Sequence, residues 1–173
     1  MSGPVLVVVG PPAAGKTTVG TAVAAALGVG FRDTDADVEA TTGTTVADLF
    51  VASGEPHFRA LEEAAVARAL AEHDGVLALG GGAVLSPATR ERLVASGCTV
   101  VWLDVDVASA AHRVGLSRDR PLLAVNPRAM LRTMLEARAP LYAEVSTVTV
   151  PTAGRPIEDV VADVLAATGQ VTP

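Results

Sequence analysis

The chain has 173 residues, half of them apolar and 18% charged, with a net charge of −6 and a pI near 5.0. That length suits one domain with a sizeable core, and the composition excludes disorder and fibrous repeats. Only five aromatics and an acidic balance speak against a nucleic-acid binder, which needs a basic face and, for single strands, stacking platforms.

Short runs rich in Val and Leu alternate with helical stretches. Val5–Val9, Phe31–Arg32, Val76–Leu79, Thr99–Leu103 and Thr147–Val150 predict strands, without the polar alternation of a half-exposed sheet. Thr18–Leu27 predicts a helix, and another is expected from about Ala36. Pro56–His73 predicts a long helix with Phe58, Leu61, Ala65 and Ala69 turned inward. Ser86-Pro87 reads as an N-cap and first helical position, Asn126-Pro127 opens a further helix, and Pro156 suits another first turn. Gly28, Gly75, Gly97, Gly115 and Gly169 follow the expected helix ends. This alternation predicts a parallel sheet with helices on both faces. Asp33–Gly54 and Gly115–Asn126 fit it poorly, and insertions at strand ends of such folds usually serve a ligand.

Gly10-Pro11-Pro12-Ala13-Ala14-Gly15-Lys16-Thr17 stands between the first strand and the first helix. This is the phosphate-loop pattern G-x-x-x-x-G-K-[ST] in its required context. The glycines let N–H groups turn inward toward phosphate oxygens, and the helix adds its positive dipole end. Lys16 supplies a point charge for the β- and γ-phosphates, and Thr17 a hydroxyl for Mg²⁺. Lys16 is the only lysine in the chain, against twelve arginines.

Asp33-Thr34-Asp35 follows the second strand. Phosphoryl transfer needs one anionic group to help hold Mg²⁺ through water and another to orient or deprotonate the acceptor hydroxyl. The alternative is helix capping by Thr34 or Asp35. Val100–Leu103 ending in Asp104 offers a rival metal ligand, since a hydrophobic strand closing on Asp is the second phosphate-loop signature. Arg59 has Glu62 and Glu63 at i+3 and i+4, which suits a helical ion pair. Gly80-Gly81-Gly82 after the third strand permits close approach of a ligand to the backbone. Gly115–Leu123, with Arg118 and Arg120 at its tip, has the makings of a lid that excludes water and brings a cation over the migrating phosphoryl. Arg138 alone reads as a surface residue. His57, His73 and His112 lack zinc-site spacing. The single cysteine, Cys98, cannot form an intramolecular disulfide, which fits a reducing compartment. No apolar run reaches a membrane span, and Val5–Val9 leads directly into the phosphate loop where a signal peptide would have its cleavage pattern. A cytoplasmic monomer without membrane or nucleic-acid partners is expected.

Taken together, the phosphate loop, Asp33-Thr34-Asp35, the Gly-Glu-x-x-Phe-Arg stretch at 54–59, Gly80-Gly81-Gly82-Ala83, Arg120-Pro121-Leu122-Leu123 and Arg138-Ala139-Pro140-Leu141-Tyr142 resemble the shikimate kinases. The resemblance implies a three-layer α/β/α fold of the nucleoside-monophosphate-kinase type, with a five-stranded parallel sheet in order 2-3-1-4-5. It implies one kinase domain over 1–173, with a substrate-binding region at 33–62, a lid at 113–125 and a frayed tail at 171–173. The activity implied is Mg²⁺-dependent transfer of the ATP γ-phosphoryl to the 3-hydroxyl of shikimate, on the route to chorismate and the aromatic amino acids. By motif position, Pro12, Ala13, Ala14, Gly15, Lys16, Thr17 and Thr18 bind ATP. Arg113 and Arg155 flank adenine, and Arg120 reaches the phosphates. Asp35 is the base or orienter, Arg59 and Arg138 grip the carboxylate, and Gly80, Gly81 and Gly82 border the substrate. Thr17 and Asp33 hold Mg²⁺, which leaves Asp104 a structural role. The family usually has Gly where this chain has Ala13, a departure that matters if the position takes a positive φ. The competing expectations are another small-molecule kinase of the same fold, such as a gluconate kinase, and a nucleotide-binding module without catalysis.

Overall fold

A computed structural model describes residues 3–115 and 127–169. At its centre lies β1 (Leu6–Val9), a run of four fully buried side chains. A strand sends successive side chains to opposite faces. Leu6 and Val8 accordingly join one apolar cluster, and Val7 and Val9 another. A strand apolar on both faces must be covered on both, and the rest of the chain does this.

The elements follow as α1 (Lys16–Leu27), β2 (Phe31–Asp33), α2 (Thr34–Thr42), α3 (Val46–Ser53), α4 (Glu55–Glu72) and β3 (Val76–Ala78). After a 3-10 turn at Ala83–Leu85 come α5 (Pro87–Ser96), β4 (Val100–Asp104), α6 (Val107–Gly115), α7 (Pro127–Val145), β5 (Val148–Pro151) and α8 (Ile157–Ala167). The five strands are all parallel in the order β2-β3-β1-β4-β5, with Leu6 opposite Val76 and Val7 opposite Val100. This is the order the resemblance implied. Val19 and Val23 of α1, Ala110 of α6 and Val160 and Val164 of α8 cover one face. Val66 and Ala69 of α4, Leu93 of α5 and Tyr142 of α7 cover the other. A third cluster of Val38, Leu49, Phe58 and Ala65 joins α2, α3 and α4 beside the sheet.

Several expectations need correction. The segment Asp33–Gly54, expected to fit the sheet poorly, holds two helices, α2 and α3. α2 starts two residues earlier than predicted because Asp33 caps it: its Oδ1 accepts the Asp35 N–H at 2.8 Å. Neither Thr34 nor Asp35 is the cap. Thr34 is fully buried, and its hydroxyl accepts the Gly80 N–H at 3.1 Å. α4 runs one residue ahead of the predicted span, and its inward stripe includes a buried Glu62. Pro156 is the N-cap of α8 and not in its first turn. Gly75 caps no helix; a Cβ there would meet the Gly30 carbonyl oxygen at 2.1 Å. α7 continues through Pro140.

Candidate active site

The phosphate loop leaves the C-terminal end of β1, the edge at which parallel sheets present ligands. Gly15 caps α1 in the left-handed region (φ 90°), a conformation that favours glycine. The Lys16 ammonium folds over the loop and donates to the carbonyl oxygens of Gly10 at 2.8 Å and Pro11 at 2.9 Å. A single lysine thus bridges the turn it belongs to, at the place where the pattern puts a phosphate. The Thr17 hydroxyl donates to Asp33 Oδ2 at 3.2 Å. Asp33 therefore has one oxygen on the cap of α2 and the other on the phosphate loop.

Asp35 lies in the first turn of α2. It and Asp33 line one cavity of about 260 Å³ with Pro12, Lys16, Thr17 and Gly81, and Asp104 is not among the lining residues. Burial raises the Asp35 pKa above the ordinary aspartate value, and the Asp33 charge adds to this; the Lys16 and Arg59 charges oppose it. Arg59 rises from the start of α4. Its Nη1 donates to Glu62 Oε1 at 2.8 Å and its Nε to Glu55 Oε1 at 3.3 Å, and its guanidinium carbon lies 5.3 Å from the Phe58 ring centroid. Glu62 is 3% exposed. Burial pushes its pKa up, and Arg59 pulls it back. The expected partner Glu63 is elsewhere, accepting the Ser86 hydroxyl at 2.6 Å.

The glycine triplet has a more particular reason than ligand access. A Cβ at Gly80 would sit 2.5 Å from Asp35 Oδ1 and 2.8 Å from Glu62 Oε2. At Gly82 it would sit 2.3 Å from Arg59 Nη1. The missing side chains make room for the protein's own charged groups, which draws Asp35, Glu62 and Arg59 into one corner.

α7 closes that corner. The Tyr142 ring is buried against Trp102 (centroids 5.7 Å apart), and its hydroxyl donates to the Gly81 carbonyl oxygen at 2.5 Å. The Arg138 charge acts on the Tyr142 phenol and on Glu62. Burial pushes the Tyr142 pKa up to about 12, so the phenol stays protonated. Arg138, read from sequence alone as a surface residue, is thereby half-buried beside the glycine triplet. Neither Glu62 nor Tyr142 was given a site role by the sequence. A carboxylate on an apolar stripe was the available signal for the first; the second had none of its own, since its partner lies 61 residues away.

On the far side of the loop, a groove of about 560 Å³ is lined by His112 and Arg113 of α6 and by Gly154, Arg155 and Pro156. Arg155 is held by the Pro151 carbonyl and by Asp163 Oδ2 at 2.7 Å. Thr18 is exposed in the first turn of α1. Arg120 and most of the expected lid, 113–125, lie outside the described residues. Among the described residues no group of three or more His, Cys, Asp or Glu could hold a metal, and no helix is long and apolar enough to cross a membrane.

A phosphate loop on β1, set against carboxylates from the end of β2 and the start of α2 in this sheet order, defines a P-loop phosphotransferase. The sequence profile described as "Shikimate kinase" matches residues 12–168. The chain belongs to the shikimate kinase family and is an enzyme. It is 58% identical to a shikimate kinase of Salinispora arenicola over 163 residues, 94% of this chain and 96% of the relative. It is similar to the structure of a shikimate kinase from Acinetobacter baumannii in complex with shikimate, with TM-score 0.88, 37% identity and coverage of 95% and 92% of the two chains. A gluconokinase from Sinorhizobium meliloti is more distant, with TM-score 0.60 and 25% identity over 95% of this chain and 90% of that one.

Proposed function

We propose that this chain transfers the γ-phosphoryl of ATP to the 3-hydroxyl of shikimate in the cytoplasm, acting as a monomer through one kinase domain. The observation that carries the reading is the corner where Asp35, Arg59, the Tyr142–Gly81 contact and the Arg138 charge meet beside the phosphate loop. Shikimate is a small anion with a carboxylate and ring hydroxyls. Guanidinium forks suit the carboxylate, and a carboxylate suits a reacting hydroxyl.

In this reading Pro12–Thr18 cradle the phosphates and Lys16 moves from the Gly10 and Pro11 carbonyls to the β- and γ-phosphates. The Thr17 hydroxyl and Asp33 carboxylate are hard oxygen donors in contact, and fit Mg²⁺, which keeps several waters and needs no all-protein cage. Bound there, Mg²⁺ would neutralise charge on the phosphates. Asp35 orients the acceptor hydroxyl and takes its proton. Arg59 and Arg138 hold the carboxylate, with Glu62 fixing Arg59. Gly80, Gly81 and Gly82 form the wall of the acceptor pocket. Arg113 and Arg155 flank the adenine, and Arg120 keeps its assignment to the phosphates from the motif. Asp104 keeps the structural role: it does not line the phosphate-loop cavity, and its backbone carbonyl accepts both the N–H and hydroxyl of Thr152 at 2.9 Å.

A coupled assay of ADP release tests this with shikimate, gluconate, quinate or no acceptor. Rapid turnover is expected with shikimate alone. Equal turnover with gluconate would overturn the acceptor assignment.

Arg59→Lys and Arg138→Lys are each expected to raise the KM for shikimate about tenfold or more with little change in the KM for ATP, because an ammonium keeps the charge and loses the two-pronged geometry. Steady-state kinetics with each substrate varied checks this; equal effects on both substrates would remove the carboxylate role. Tyr142→Phe keeps the buried ring and deletes the hydroxyl that donates to the Gly81 carbonyl. It is expected to raise the KM for shikimate about fivefold, the worth of one net hydrogen bond, and to leave the KM for ATP unchanged. A loss of kcat at constant KM would count against it.

A further inference from the structure

Ala13 is the one non-glycine residue with positive φ (69°) among the described residues. An L-residue resists this conformation because its Cβ crowds the following carbonyl oxygen. The carbonyl of Ala13 is held from outside the loop: Arg113 Nη1 donates to it at 2.8 Å, across 100 residues of sequence. The same guanidinium reaches Thr152, with Nη1 3.4 Å from Oγ1 and Nη2 3.4 Å from the carbonyl oxygen. Thr152 is itself 3% exposed and bonded twice to the Asp104 carbonyl at the end of β4. The end of the sheet therefore grips the strained loop residue through one arginine. The tie does not involve Lys16, whose bonds to Gly10 and Pro11 are the ones a phosphate would displace.

We infer that Arg113 is a positioning residue for the phosphate loop: its guanidinium edge braces Ala13 in the left-handed conformation and so keeps the loop N–H groups aimed at the phosphates. This rests on reading residues 10–17 as the ATP phosphate site, and is separate from any contact with adenine. A planar guanidinium that donates along its edge still offers its faces to a base. The brace compensates for the absence of glycine at position 13, and glycine there makes it dispensable.

The test is a double-mutant cycle of Arg113→Lys and Ala13→Gly, read by calorimetric binding of inorganic tripolyphosphate, which has no base, and of ATP. Lysine keeps the charge and loses the fork. In the parent chain, Arg113→Lys is expected to weaken both ligands about tenfold; in the Ala13→Gly background the loss falls to about twofold, a coupling within the range for residues in contact. The urea midpoint gives a ligand-free reading of the same cycle: Arg113→Lys lowers it more in the parent chain than in the Ala13→Gly variant. Equal losses in the two backgrounds, in binding and in midpoint, would overturn the brace. Loss of ATP binding alone, with tripolyphosphate unaffected, would make Arg113 a base contact only and would also overturn it. If Lys16→Met leaves ATP binding untouched, the phosphate-site reading fails, and the midpoint cycle still decides whether Arg113 braces the loop.

Discussion

Asp35→Asn is expected to lower kcat by about a hundredfold or more, the usual contribution of a general base, while the KM for ATP stays within about twofold. Asparagine keeps the shape and one hydrogen bond and loses the charge and the basicity. Phosphoryl transfer has a loose transition state, so the proton leaves late and the orientation of the hydroxyl carries much of the effect. The pH profile gives an independent check. In the proposed role the active form of Asp35 is the carboxylate, and burial with the neighbouring Asp33 charge raises its pKa above the ordinary 3.8. The acid limb of kcat/KM is therefore expected above that value, with activity falling as pH drops through the raised pKa. Removing the Asp33 charge removes one of the causes that raise it, so Asp33→Asn moves the limb down. Asp33→Asn also raises the Mg²⁺ needed for half-maximal rate, because it strips an oxygen from beside Thr17. If high Mg²⁺ rescues Asp35→Asn instead, the two roles are exchanged. If it rescues Asp104→Asn and not Asp33→Asn, the metal ligand is at the end of β4.

Lys16→Met should lower kcat by about 10²–10³-fold, the scale for losing one preorganised donor on transition-state charge. Fold should survive. The two carbonyls that Lys16 now serves belong to the buried Gly10 and Pro11, but Lys16 itself lines the cavity, so water can take the place of its ammonium and the loss costs about 1 kcal/mol for each carbonyl. For a domain of this size that lowers Tm by several degrees and leaves one cooperative transition. Thermal unfolding followed by circular dichroism, beside the coupled assay, separates the two effects. Near-normal turnover, or no cooperative transition, would contradict the assignment.

The sheet was legible because its signals are local and redundant. Valine-rich runs mark the strands to within a residue, and Ser86-Pro87 and Gly97 bracket α5 as their cap chemistry requires. The phosphate loop is contiguous, so its pattern could be read directly. α2 and α3 were harder. α2 buries only Thr34 and Val38, and α3 only Leu49, so neither has the apolar stripe that marks a helix against a core. The start of α2 depended on which of three adjacent capping residues acts, and the answer was the one already at the end of a strand. The acceptor corner was least legible, because long-range pairs make it. Thr34 with Gly80 and Tyr142 with Gly81 span 46 and 61 residues, and the reason for Gly82 is an arginine on another helix. Motif resemblance named Arg138; only the packing of α7 explains its place.

That packing bears on how such an enzyme can be recombined. The sheet order puts β2 and β3, with the helices between them, on one flank of the phosphate loop, and β4 and β5 on the other. A contiguous graft of residues 33–97 from a kinase with another acceptor would look like a clean exchange of specificity. It would leave behind α7, whose Tyr142 hydroxyl donates to Gly81 and whose Arg138 charge acts on Glu62. If the proposed acceptor site is right, acceptor choice resides in two segments, 33–97 and α7, with β4 and α6 between them in the chain, and a chimera must carry both to keep a matched pocket.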